Sequence, residues 1–317
     1  MNHILDSIND VGGGKVSDAL KRSIQRMVSP DPEKRPNSTQ ILKYPDFNSD
    51  LIKILIELED FSLKSSQEVL DILRKVVQKA KEFAGQTCAF KITPIVIDRI
   101  RIASNDFQNR DMREYCRVVI DVCVDILASF AEAGRVNEST LTPQASETLS
   151  QIWTMPDRTV RTCLLRTCKH VISLFPAAVV NKSLFQPVLA GFSDSNPKMR
   201  EETLKNLIHF VDKLDEVNLQ DRLVRQVKQL QDDTEKSIRT NAVIFLSKIA
   251  SKLNDQVRNK ILALCFVKAM RDGFNPCRVA GLKAAQACHS LIDPVQMCTA
   301  VLPQVRYFTY QPTNQPA

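Results

Sequence analysis

Phe192-Ser193-Asp194-Ser195-Asn196-Pro197-Lys198-Met199-Arg200, continued by Leu204, Leu207, Phe210 and Leu214, is the stretch that decides the fold. The arrangement returns 39 residues later as Asp233 and Arg239 with Val243, Leu246, Ile249 and Leu253. It returns again as Asp272 and Arg278 with Leu282, Ala285, Cys288 and Ile292. One period upstream, Arg161 leads Leu165, Cys168, Val171 and Phe175. Within every unit the apolar positions step by 3, 3 and 4 residues, which places them on one helical face. Leu184, Leu223 and Leu262, with Val188, Val227 and Phe266, mark a partner helix ahead of each. A helix–turn–helix unit of about 40 residues, able to bury its apolar face only against a neighbour, is the signature of a HEAT/armadillo-type α-solenoid.

Composition agrees with an all-α class. The 317 residues are 44% hydrophobic, hold only 8 Gly, and lack long alternating β-branched runs. An earlier segment, Asp111-Met112-Arg113 with Val118, Val119, Val122 and Ile126, reads as a further unit, with the polar run 134–144 as a looped insertion. Nearer the N-terminus, Ser17 is placed to cap a helix carrying Leu20, Ile24, Met27 and Val28, which stops at Ser29-Pro30-Asp31-Pro32. Ser38 is placed to cap a short helix ended by Pro45, and a longer helix is expected from Gln67. Between the two, Leu51–Leu58, Phe61 and Leu63 read as a connector that packs. At the other end, Val301, Leu302 and Val305 open one more unit, and Tyr307–Pro312 abandons the pattern.

Catalytic chemistry finds no constellation. Gly12-Gly13-Gly14-Lys15 is not a phosphate loop, because Asn9 stands where the first Gly is required and Val16 where Ser or Thr would hold Mg²⁺. Four His and nine Cys form no H-E-x-x-H, no C-x-x-C pair and no zinc spacing, and no G-x-S-x-G or D-F-G occurs. No cofactor is expected. The cysteines sit in apolar stretches, as buried thiols do, and no signal peptide or membrane span is legible.

Charge directs attention to the second half. Residues 151–317 hold 23 Lys+Arg against 14 Asp+Glu, whereas 51–150 hold 13 against 15. The pairs Asp194/Arg200, Asp233/Arg239 and Asp272/Arg278 put a cation in the first turn of each second helix. There the macrodipole disfavours it, so an Asp from the same or an adjacent turn is expected as its partner, building a ladder between repeats. On the polar side of the second helices, Arg166, Lys205 and Lys283 occupy one column and His170, His209 and Lys248 the column four residues on. These form a basic stripe that is either a partner-binding surface or an ordinary solvated face.

Resemblance adds what periodicity cannot. Met27-Val28-Ser29-Pro30-Asp31-Pro32-Glu33-Lys34-Arg35-Pro36-Asn37-Ser38 is similar to the end of a protein-kinase C-lobe, in which the Arg matching Arg35 pairs with an upstream Glu. With Leu58–Lys64, Phe192–Glu201 and Ala269–Gly281, the chain resembles the Scy-like pseudokinases, a degenerate kinase-like domain joined to HEAT repeats. The resemblance implies terminal helices of a kinase-like lobe over 1–45, a helical connector over 46–92, HEAT-type repeats over 93–305 and an irregular tail over 306–317. It implies both a kinase-like part and a repeat array cut short here. It also implies a non-catalytic scaffold, cytoplasmic and peripheral at Golgi or ER–Golgi membranes, with COPI vesicle-coat proteins as partners. Two alternatives stay open: a basic HEAT adaptor for tRNA in nuclear export, and a fragment of a kinase whose parent binds ATP.

Overall fold

The computed structural model describes residues 18–310, and all the elements there are α, 3-10 or π helices, with no strand among the described residues. Ser17 and the Gly12–Lys15 segment lie outside the described residues. Internal contacts divide the chain into two compact units at Ala84–Gly85. Cys88, Ala89 and Ile92 are buried in a π turn that leads into the helix Thr93–Asp106 of the second unit.

The first unit contains α1 (Asp18–Met27), α2 (Ser38–Ile41), α3 (Asp50–Glu59) and α4 (Ser66–Lys79). Four of its helical starts have a side-chain cap: Asp31, Asn37, Ser49 and Ser65. Asp31 accepts a hydrogen bond from the Glu33 amide and opens the short 3-10 turn Pro32–Lys34. The cap of α2 is Asn37, not Ser38: its side chain accepts from the Gln40 amide while the Asn37 amide donates to the Gln40 side-chain oxygen. Ser65 and Glu68 form the same reciprocal box ahead of α4, whose Val69, Leu70, Ile72, Leu73 and Val76 are buried. The packed connector is half right. Phe61 is buried, but Leu63 is 84% exposed, because residues two apart in a 3-10 turn point to different sides.

The second unit is a run of helix pairs. First helices are α5 (Thr93–Asp106), α7 (Pro143–Trp153), α9 (Phe185–Leu189), α11 (Val224–Gln229) and α13 (Ala263–Met270), interleaved with second helices α6 (Arg113–Glu132), α8 (Arg158–Val171), α10 (Pro197–Asn206), α12 (Lys236–Ile249) and α14 (Asn275–Ala287). The second helices stack in sequence, α6 on α8, α8 on α10, α10 on α12 and α12 on α14, while first helices pack beside their partners. The column residues fill the interior: Leu184, Leu223, Leu262, Cys168, Leu207, Leu246, Phe210 and Ile249 have no exposed surface. The last element, α15 (Leu302–Tyr310), is helical where an irregular tail was expected from 306. Burial pushes the thiols of Cys265 and Cys277 up to about 11 and that of Cys168 to about 12, so they fill space as protonated, apolar groups.

One close approach fixes how α13 and α14 cross. A Cβ added to Gly281 would lie 3.0 Å from the Ala269 side chain, the Met270 amide nitrogen and the Phe266 carbonyl. Gly273 has open space around it. Gly281→Val is therefore expected to destabilise the chain by about 1–3 kcal/mol, lowering the melting temperature measured by circular dichroism, while Gly273→Ala leaves it near the starting value.

Candidate functional site

The recurring arginines do two things at once. Arg200 donates from Nε and Nη2 to both carboxylate oxygens of Asp233, 2.8 Å each, and from Nη1 to the Asp194 carbonyl at 2.9 Å. Arg239 repeats this on Asp272 at 2.7 and 2.9 Å, with Nη1 on the Asp233 carbonyl at 2.9 Å. Each carboxylate thus serves the arginine of the preceding unit, and its own backbone carbonyl serves the arginine of its own unit. Arg278 makes the own-turn bond, to the Asp272 carbonyl at 3.1 Å. Asp194, Asp233 and Asp272 each also accept from the amide two residues on, which holds the turn in shape. A bidentate carboxylate cancels the cost of a guanidinium at a helix N-terminus.

Upstream the rungs change register. Asp194 is held by Arg158 rather than Arg161, and Asp157 by Arg117 rather than Arg113. Arg113 and Arg161 keep the backbone hook, donating to the carbonyls of Phe107 and Met155, six residues back, and Arg113 also lies over the Phe107 ring. Arg35 makes the same hook in the first unit, onto the Ser29 carbonyl at 2.9 Å. Its neighbours Asp31-Pro32 match Asn196-Pro197 in position, so a shared turn accounts for its geometry.

A second ladder runs along the opposite edge, where second helices turn into first helices. Asn181 donates to the Lys213 carbonyl and accepts from the Asp215 amide, 2.7 and 2.8 Å. Gln220 does the same with Lys252 and Asn254, 3.1 and 3.0 Å, and Asn259 accepts from the Asp293 amide at 2.9 Å. These side chains sit in the π turns Val180–Leu184, Val217–Leu223 and Arg258–Leu262. Sequence reading missed them, although the signal was present: 181, 220 and 259 are 39 apart, as are 215, 254 and 293.

The basic stripe is uneven. Arg166 donates to Asp121 and Asp125 on α6, 2.8 and 2.7 Å, and Lys205 is paired with Glu201 and Glu202 on its own helix. His170 lies 4.0 Å from Glu132. Burial, then the neighbouring Lys169 and His170, hold His209 below the usual imidazole range, so it is neutral at pH 7. Lys248 and Lys283 are exposed and have no ion pair among the described residues. Counting cations down a column missed the acids beside them, brought by α6 for Arg166 and by its own helix for Lys205. Among the described residues no group of His, Cys, Asp and Glu is arranged to hold a metal ion, and no helix is long and apolar enough to cross a membrane.

Comparison with known proteins fits this architecture. The family model for Cnd1, non-SMC mitotic condensation complex subunit 1, matches residues 159–274. The probable inactive serine/threonine-protein kinase scy1 of Dictyostelium discoideum is 24% identical over 294 residues, 92% of this chain and 34% of that protein. The chain thus spans about a third of that relative's length. The crystal structure of Cex1p aligns with a TM-score of 0.68 and 21% identity, covering 92% of this chain and 55% of that one. A designed armadillo repeat protein solved with a (KR)4 peptide aligns at 0.51 and 16% identity, covering 75% of this chain and 99% of the design. The solved structures bear out the all-α solenoid, and the similarity to an inactive Scy1-type kinase runs along nearly the whole chain.

The Arg239–Asp272 rung carries a pH dependence. Hydrogen bonds from Arg239 first, then the Phe274 amide against the cost of burial, hold the Asp272 carboxyl down from 3.8 to about 2. Its folded value lies below its unfolded one, so its contribution is present above about pH 4 and is lost as pH falls towards 2. Asp272→Asn is expected to cost about 1–3 kcal/mol at neutral pH and to flatten the acid limb of a stability-versus-pH curve measured by denaturant unfolding.

Proposed function

We propose that the chain acts as a non-catalytic scaffold, working in vesicle traffic between Golgi and ER with COPI coat proteins as partners, at the cytoplasmic side of those membranes. The observation that carries the scaffold reading is the pair of ladders. They commit the polar groups at both edges to joining units, which leaves the outward side of the second helices for other macromolecules. The similarity to an inactive Scy1-type kinase over 92% of the chain supports the non-catalytic part, and the Scy-like resemblance of the repeat motifs supports the trafficking part.

A second reading is an adaptor for tRNA, favoured by the excess of nine positive charges in residues 151–317 and by the unpaired Lys248 and Lys283. Phosphate binding of that kind weakens steeply with salt.

The immobilised chain is expected to recover COPI coat subunits from cytosol, scored by immunoblot, with the full-length Dictyostelium relative run beside it. Recovery by the relative but not by this chain sinks the reading for this segment. Salt-sensitive tRNA binding that Lys205→Glu, Lys248→Glu and Lys283→Glu together abolish would move the assignment to the second reading.

A further inference from the structure

Two consecutive second helices, α12 and α14, contain no Asp or Glu. Three of their cations are used internally: Lys236 lies 5.0 Å above the Phe274 ring, Arg239 is clamped by Asp272, and Arg278 donates to backbone carbonyls of its own turn. The other two, Lys248 and Lys283, are the unpaired lysines described above.

Exposed aliphatic side chains lie among them. Ile244 is 38% exposed although α10 and α12's other neighbour, α14, pack on either side of its helix, and Val279 is 40% exposed. Positions 244 and 283 are equivalent in successive units; 248 follows 244 by four residues and 279 precedes 283 by four. The four therefore share one outward face of two adjoining helices. Upstream, that face is neutralised by Asp121, Asp125, Glu201 and Glu202. Here Ile244 and Lys283 lie level on the two helices, with Lys248 a turn to one side and Val279 a turn to the other; neither helix has a carboxylate of its own, and Glu201 of α10 is held by Ser237 and Asn241, a turn or more before Ile244.

Resting on the scaffold reading, we infer that this face docks an acidic, amphipathic segment of a partner protein, with aliphatic side chains on Ile244 and Val279 and carboxylates on Lys248 and Lys283. Aliphatic contacts flanked by opposite charge are how protein segments are held. Nucleic acid fits it less well, because α12 and α14 expose no aromatic ring for a base and a phosphate gains nothing from Ile244.

The probe is a fluorescein-labelled synthetic peptide with Leu at helical i, i+3, i+4 spacing and Asp and Glu elsewhere, titrated with the whole chain by fluorescence anisotropy. Two companions replace Leu by Ser or the acids by Lys, and tRNA is the fourth ligand. The parent peptide should bind, the companions at least about tenfold more weakly. The double variant Lys248→Glu/Lys283→Glu should weaken it about tenfold or more, Ile244→Ser about fivefold, and Arg166→Glu not at all, with unchanged melting of each surface variant confirming the fold. No binding of the parent peptide, equal binding by the variants, equal binding of the Ser companion, or tighter binding of tRNA lost in the same double variant would each overturn the inference. Coat recovery separates the two readings. Full recovery by the double variant ends this site and leaves the scaffold standing; no recovery by the unmodified chain ends the trafficking role while the peptide titration still decides this face.

Discussion

A guanidinium in the first turn of a helix lies against the positive end of the peptide dipoles, and the array is organised around relieving that conflict. Arg200 and Arg239 are each met by a carboxylate from the next unit, and that carboxylate is held by the amide two residues further on. The rung therefore does not simply tie two side chains together. It fixes the inter-helix turn of one unit at a set distance from the second helix of the unit before, and apolar columns such as Leu207–Leu246 are buried at that spacing. The amide ladder of Asn181, Gln220 and Asn259 does the corresponding work at the other edge with neutral bonds to backbone. With both edges pinned, adjacent units can neither slide nor fan apart without exposing a hydrogen-bonding group or opening the core.

The parts legible in the sequence were those in which one residue type answers to one environment. Leu204, Leu207 and Phe210 recur with their counterparts because each meets the same neighbours in every unit, and the Asp and Arg columns recur for the same reason. The illegible parts depended on which of two neighbours a flexible side chain reaches. Arg158 and Arg161 stand three residues apart near one helix start, and only the packing of α8 on α10 selects Arg158 for Asp194. Arg166 read as a free cation until α6 supplied its carboxylates, whereas the partners of Lys205, Glu201 and Glu202, stand three and four residues back on its own helix. The amide ladder was hidden differently: Asn, Gln and Asn are not identical, and they lie in first helices whose apolar residues dominate the pattern.

The π turns belong to the same account. Three of the bridging amides lie within them, at the point where each first helix leaves the edge of the array. A π turn widens the helix by one residue, so it carries an extra side chain without displacing the apolar ones that follow. Val180 and Leu184 are both fully buried on either side of Asn181, as a regular helical face interrupted by a bridging polar group requires.

A solenoid built this way separates cohesion from recognition. Each rung couples only neighbours, so substitutions on the outward side of α12 and α14 leave both ladders intact, while substitutions in the ladders act on two units and not on the whole array. Cohesion also consumes charge unevenly. Arg166 of α8 is drawn into pairs with Asp121 and Asp125 across helices, and Lys205 of α10 pairs with Glu201 and Glu202 of its own helix; α12 and α14 have no acid of their own, and their outward lysines are left over. The uneven surface thus follows where acids fall along the array, and it is the end formed by α12 and α14, not the basic half as a whole, that offers uncompensated charge beside exposed aliphatic side chains.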